Sequence, residues 1–367
     1  MNVFPHIDMH EVTRLTRAGK LSEAVRLLKG RDPEPQPAAQ TAAPADAGRS
    51  AERLAQARRL FSGRANAGVP GLGREGIALR RSKSPPLPEG ARFETHAFSS
   101  ESGTRTYKVY VPSGDIGQLP VVVMLHGCTQ DPDDFAAGTR MNEVAEEQKF
   151  LVVYPCQPQS ANMQRCWNWF NASEQRRDGG EASLIAGIAR EVLAAFSADK
   201  TRVYVAGLSA GGAAAAIMAA TYPDVFAAVG VHSGLACGAA RDMPSAFAAM
   251  GGGGAAVPGQ VPLVPTIVFH GDADRTVNPV NGEQVIAQVR PKAGLTENSI
   301  GGETLAGMSF TRRRYLDADG TAVLERWTLH GAGHAWSGGS SEGSYTDPRG
   351  PDASREMSRF FLNHRRG

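Results

Sequence analysis

Three side chains that together could carry out acyl transfer appear in this chain in a set order. Ser209 lies in Gly207-Leu208-Ser209-Ala210-Gly211, between an apolar run, Val203–Ala206, and a run of small residues, Ala213–Ala220. Strand, sharp turn and helix in that order push a serine hydroxyl out above a sheet. The glycines two positions either side of Ser209 let the neighbouring strand and helix approach closely. A serine hydroxyl is a poor nucleophile until a base takes its proton, and the base needs an acid to hold it. Asp274 supplies the acid, in His270-Gly271-Asp272-Ala273-Asp274-Arg275-Thr276-Val277 after the apolar run Thr266–Phe269. His334 supplies the base, in His330-Gly331-Ala332-Gly333-His334-Ala335-Trp336 after Trp327–Leu329. Asp272 is the local rival of Asp274. His330 lies nearer its strand and reads as structural, and His364 sits in a basic C-terminal tail. The bland alternative is a glycine-rich turn, a surface turn and a loop histidine packed on Trp336, with no shared chemistry.

A tetrahedral intermediate needs preorganised N–H donors for its oxyanion. The N–H of Ala210 opens the helix after Ser209, where the helix dipole favours negative charge. The run Val121–Leu125 ends in His126-Gly127-Cys128-Thr129-Gln130, and a turn there directs the N–H of Cys128 at the same point. His126 reads as a packing and hydrogen-bonding residue. The stretch Cys166-Trp167-Asn168-Trp169-Phe170 follows a further apolar run. Exposed, its aromatics form a flat platform for an acyl or aryl group; buried, they staple the loop down. The expectation is that at least one of Trp167 and Trp169 lines the site, and that Trp336 does likewise.

The elements that must position these residues are legible as a pattern. Val121–Leu125, Leu151–Tyr154, Val203–Ala206, Ala227–Val231 and Thr266–Phe269 are short continuous apolar runs, which suit strands buried on both faces of a parallel sheet. Helices are predicted at Asn142–Lys149, Ala182–Phe196, Ala210–Thr221, Gly282–Val289 and Asp352–His364. Arg92–Ser99 and Thr106–Val111 read as an opening antiparallel pair. Met308–Leu316 and Ala322–Leu329 read as a hairpin around Asp319-Gly320. Alternating strand and helix makes this an α/β chain, with active-site groups at the carboxyl ends of the strands. Gln157–Gly180 and Gly234–Pro265 are predicted to be long loops.

Residues 89–367 form the compact domain in this reading. Residues 1–30 read as a helical hairpin and 31–88 as a Pro/Ala/Gly-rich linker with a short helix. The 367 residues are 41% hydrophobic and 21% charged, ordinary for a globular protein. The net charge of +2 gives no global sign of nucleic-acid binding. Residues 1–88 hold 15 Lys/Arg against 8 Asp/Glu, so the basic excess lies away from Ser209. The front segment is then a solvated tail, or one that docks on a partner or granule. No stretch reads as a membrane span. The first residues lack a cationic region followed by an apolar core, so the chain as written reads as cytoplasmic. The four cysteines show no metal-ligand spacing. They read as small buried residues, or as one or two disulfides if the protein is exported.

Together the His126–Gln130 turn, the Cys166–Phe170 stretch, the Gly207–Gly212 elbow, the His270–Val277 turn and Gly331-Ala332-Gly333-His334-Ala335-Trp336-Ser337-Gly338-Gly339 resemble the poly(3-hydroxybutyrate) depolymerase family of esterases. That family lies within the α/β-hydrolase superfamily, and the likeness covers roughly residues 91–364. The resemblance implies an α/β-hydrolase sheet, a Ser209–Asp274–His334 triad, carboxylic ester substrates and a Cys128–Cys166 disulfide. Feruloyl and acetylxylan esterases look similar over the same motifs. Many relatives are secreted, which makes an extracellular setting the alternative to a cytoplasmic one. The expected activity is hydrolysis of hydroxybutyrate oligomers or related short-chain esters, with no metal or organic cofactor. The alternatives are a carbohydrate esterase, an acyltransferase and a non-catalytic binding protein on the same fold.

Overall fold

The computed structural model describes residues 87–114, 117–254, 261–290 and 294–367. The hairpin expected at 1–30 and the linker expected at 31–88, up to residue 86, lie outside them. Ten strands form one sheet: β1 (Arg92–Ser100), β2 (Gly103–Val111), β3 (Val121–Leu125), β4 (Leu151–Pro155), β5 (Val203–Leu208), β6 (Ala228–His232), β7 (Thr266–Gly271), β8 (Thr296–Glu303), β9 (Ser309–Leu316) and β10 (Ala322–Leu329). Their spatial order is β1-β2-β4-β3-β5-β6-β7-β10-β9-β8. The central six, β4 to β10 in that order, run parallel. Antiparallel pairs flank them at both edges.

The continuous apolar runs are explained by burial on both faces. Along β3, Val121, Val123 and Leu125 enter one core while Val122 and Met124 enter the other. Along β5, Val203 and Val205 face one way, and Tyr204, Ala206 and Leu208 the other. Side chains alternate across a strand, so a strand covered on both sides reads as a nearly continuous apolar run.

Helices α3 (Gly180–Ala195), α4 (Ala210–Thr221), α5 (Met243–Gly252) and α6 (Val280–Val289) pack into the first core. Helices α1 (Pro132–Thr139), α2 (Met141–Gln148) and α7 (Ala353–Leu362) pack into the second. Two of these, α1 and α5, fall where no helix was expected. Both have capped starts: Asp131 accepts from the Asp134 N–H, and Asp242 forms a capping box with Ser245. Helix α5 splits the loop predicted at Gly234–Pro265, while Gln157–Gly180 is without helix or strand up to the start of α3. Strand β8 was also unforeseen. All eight of its residues are exposed, so it carries no apolar alternation to read. No helix among the described residues is long and apolar enough to cross a membrane.

Candidate active site

The sheet order places the chemistry. Strands β3, β5, β6, β7 and β10 are neighbours, and their carboxyl ends lead into His126–Gln130, Ser209, Ser233, Asp272–Asp274 and His330–His334. Groups far apart in sequence therefore share one rim.

Ser209 caps α4 with φ 58° and ψ −118°, a backbone state that costs a non-glycine residue about 1–3 kcal/mol. The surroundings hold it there. Its N–H donates to the His232 carbonyl at 2.9 Å, and its carbonyl accepts from the Ala213 N–H at 2.9 Å. The flanking glycines are steric requirements. A Cβ on Gly207 would lie 2.4 Å from the Gly211 backbone, and one on Gly211 would lie 2.0 Å from the Leu125 carbonyl oxygen.

His334 and Asp274 meet. The His334 Nδ1 lies 2.7 Å from Asp274 Oδ2. The other carboxylate oxygen accepts the N–H groups of Thr276 at 2.8 Å and Val277 at 2.9 Å. His270 Nε2 approaches Oδ2 at 3.5 Å while lying 2.9 Å from the Val277 carbonyl. Burial alone would raise the Asp274 pKa. Hydrogen bonds from His270 and His334 and the backbone outweigh it and hold the carboxyl well below the usual range. Asp274 is thus a buried anion with its oxygens committed, the arrangement that fixes an imidazole. The rival pair is sorted elsewhere. Asp272 Oδ2 lies 2.8 Å from His330 Nδ1, its Oδ1 accepts the Gly331 N–H, and His330 Nε2 bonds Thr311. Both groups of that pair are about two-fifths exposed, and they brace the β10 exit.

The Gly127 turn sits against the elbow: a Cβ built on Gly127 would lie 3.7 Å from Ser209 Cβ. Neither the Cys128 N–H nor the Ala210 N–H has an acceptor among the described residues. The turn is braced from three sides. Cys128 is disulfide-bonded to Cys166. Gln130 Oε1 accepts the Gly127 N–H at 2.9 Å. Trp167 Nε1 donates to the His126 carbonyl at 3.1 Å. His126 itself is buried, and burial pulls its imidazole down to about 4. Its Nε2 accepts the Gln157 N–H at 3.1 Å, so the ring proton sits on Nδ1, facing the Gly127 carbonyl.

The tryptophans are corrected by the structure. Trp167 and Trp336 are fully buried, and Trp169 is 6% exposed. Trp167 packs on the His126 ring. Trp336 packs between Phe135 and His232 and donates to Ser354. Trp169 lines a cavity of about 10 Å³ with Glu181, Ile185 and Met218, and Ser209 does not line it. The platform expected of them is absent because their loop is tied inward. Buried Glu181 accepts the Asn168 N–H and side-chain amide, both at 2.7 Å, and also bonds Gln157. Apolar rings beside a buried, fully bonded carboxylate are core, not surface.

His232 is the residue that sequence reasoning missed, because it reads as the polar end of an apolar strand. It is wholly buried, stacked between Phe269 and Trp336. Burial, then the nearby His270 and His334, pull its pKa down to about 3. Its carbonyl holds the Ser209 N–H, and its Nε2 accepts the Ser337 N–H at 3.0 Å. One residue thus anchors both the elbow and the loop that carries His334. Among the described residues no group of three or more His, Cys, Asp or Glu is placed to hold a metal ion.

Residues 105–308 match the family described as Esterase PHB depolymerase. The chain belongs to that family. It is 34% identical over 252 residues to poly(3-hydroxyalkanoate) depolymerase C of Paucimonas lemoignei, a match covering 65% of this chain and 60% of that protein. It is 30% identical over 224 residues to a probable acetylxylan esterase A of Neosartorya fischeri, covering 56% of this chain and 60% of the relative. With a feruloyl esterase B of Neurospora crassa it shares 36% identity over 143 residues, 39% of this chain and 48% of the relative. The chain thus spans 60% or less of the length of these relatives. Among solved structures, the acetyl xylan esterase from Aspergillus awamori superposes with a TM-score of 0.54 at 20% identity, covering 73% of this chain and 99% of that one. The fold is that of the α/β-hydrolases, with a mostly parallel sheet between two layers of helices.

Proposed function

We propose that this family member is a serine esterase that cleaves carboxylic esters through an acyl-enzyme. The observation that carries the reading is the 2.7 Å His334–Asp274 bond on the same rim as Ser209 in its strained elbow. With Asp274 holding Nδ1–H, His334 Nε2 is left free to accept the Ser209 proton. The Ser209 oxygen then attacks the ester carbonyl, and the C=O electron pair moves onto oxygen. The N–H groups of Cys128 and Ala210 stabilise that oxyanion. Collapse expels the alkoxide, which takes the proton from His334. Water, deprotonated by His334, attacks the acyl-enzyme in the second half, and Ser209 leaves with its proton restored.

Hydroxyalkanoate oligomers and related short-chain esters are the substrates best supported by the likeness to the Paucimonas depolymerase. A feruloyl or acetylxylan-type activity is a second reading. The likeness to acetylxylan and feruloyl esterases supports it. The Cys128–Cys166 disulfide supports an oxidising, extracellular setting over a cytoplasmic one. Ser209→Ala is expected to abolish turnover of p-nitrophenyl butyrate with folding intact, and retained turnover would end the reading. A panel of methyl ferulate, acetylated xylan and amorphous poly(3-hydroxybutyrate) separates the substrate classes.

A further inference from the structure

With the tryptophans buried, the apolar contact for substrate must come from elsewhere. Of the Phe, Tyr and Trp side chains among the described residues, Phe247 and Tyr345 are the two that are exposed. Tyr345 is 46% exposed and precedes β12 (Thr346–Asp347), which pairs with β11 (Trp336–Ser337) just after His334. Its carbonyl accepts the Trp336 N–H at 2.7 Å. Its hydroxyl lies 3.2 Å from Thr129 Oγ1. Thr129 Oγ1 spends its one proton on the Cys128 carbonyl at 2.6 Å, so the phenol is the donor to Thr129. The ring therefore bridges the loop of the base and the turn of the oxyanion donor, with nearly half its surface open.

The backbone adds a second observation. Tyr345 has φ 54°, in the left-handed region where a bulky residue is an outlier and glycine is free of cost. A position of that conformation kept only for its turn would be better served by glycine or asparagine. The strain sits at the rim of the site, where such strain is commonly tied to function.

We propose that Tyr345 is a specificity-determining residue, its ring forming the wall against which the organic group of the ester rests beside the Cys128 N–H. This rests on the esterase reading above. The test uses the full chain as Tyr345→Ala, Tyr345→Phe and Tyr345→Gly. One substrate series varies the acyl group (p-nitrophenyl acetate, butyrate and octanoate); the other varies the alcohol (methyl and benzyl butyrate). In one of the two series, Tyr345→Ala should raise KM for the bulkiest member by about tenfold or more, while the smallest member moves less than about threefold. Tyr345→Phe keeps the ring and should keep the wild-type ranking. Tyr345→Gly, which frees the φ 54° position of strain, should lose the ranking as Tyr345→Ala does, whereas a merely structural tyrosine would change stability without altering the ranking. Equal KM changes across both series, no change, or a fall in kcat without altered ranking would overturn the proposal. A fluorophosphonate separates the two readings. Failure to label Ser209 in the unaltered enzyme sinks the esterase assignment, whereas normal labelling with the wild-type ranking kept in Tyr345→Ala and Tyr345→Gly sinks only this one.

Discussion

Asp274→Asn is the sharpest probe of the site, because the structure dictates what the amide must do. Asp274 Oδ1 accepts two backbone N–H groups, from Thr276 and Val277. An asparagine in the same place has one oxygen, and only that oxygen can accept those donors. Its NH2 is then turned toward His334 Nδ1, which stood 2.7 Å from a carboxylate oxygen. An NH2 donates, so Nδ1 must accept and the ring proton moves to Nε2. On the proposed mechanism that is the nitrogen that takes the Ser209 proton, and it is no longer basic. The wrong tautomer and the lost anion together should lower kcat by about 10,000-fold, or about 5 kcal/mol of transition-state stabilisation. KM should change little, since Asp274 does not reach substrate. The assay is steady-state hydrolysis of p-nitrophenyl butyrate, with fluorophosphonate labelling of Ser209 slowed in parallel. Asp272→Asn is the internal control. Its partner His330 is exposed and braces a loop, so activity should stay within about threefold. A fall of less than about tenfold in Asp274→Asn, or an equal fall in Asp272→Asn, would refute the tautomer argument.

Three other outcomes are expected. Gly211→Ala would place a Cβ 2.0 Å from the Leu125 carbonyl oxygen and 2.6 Å from that of His126, both backbone. The loss in urea unfolding should be about 3 kcal/mol or more, and an unchanged midpoint would contradict the packing described. Removing the disulfide in a Cys128→Ala, Cys166→Ala double variant opens a closure of 38 residues, which costs about 4 kcal/mol on the chain-entropy account. Its kcat should fall more than its KM rises, because the Cys128 N–H loses its brace; unaltered kcat would count against an oxyanion role. His126 and His232 are held neutral, with folded pKa values of about 4 and 3. Below the unfolded value of about 6.5 the unfolded chain gains protons that the native state refuses, so stability falls as pH drops toward the folded values. Together they contribute up to about 2.7 kcal/mol per pH unit to that slope, and His232→Gln should remove half of it. A variant with the parent slope between pH 6.5 and 4 would show that His232 is not the cause.

Much of this molecule was written locally. The five doubly buried strands announce themselves because a strand covered on both faces is apolar along most of its length. The elbow is legible because its glycines and small helix residues answer a steric demand within a few positions of Ser209. The hairpin turn of β9 and β10 is a matter of Asp317 and Gly320, the latter with φ 79°. The order of the acid and base follows from which strands precede them. Even α1 and α5 left signals in Asp131-Pro132 and Asp242-Met243-Pro244-Ser245, though the surrounding turn formers and the Gly251–Gly254 run masked them.

What the chain alone could not decide is direction. Hydrophobicity tells that a tryptophan seeks partners, not whether those partners are core or substrate. Glu181 settles it for Trp167 and Trp169 from the start of α3, and Phe135 and His232 settle it for Trp336. The choice of Asp274 over Asp272, and of His334 over His330, likewise rests on which carboxylate faces which ring after β7 and β10 come side by side. His232 has no local mark at all. Its importance comes from hydrogen bonds to residues 23 positions before it and 105 positions after it, and such closures exist only once the chain has folded.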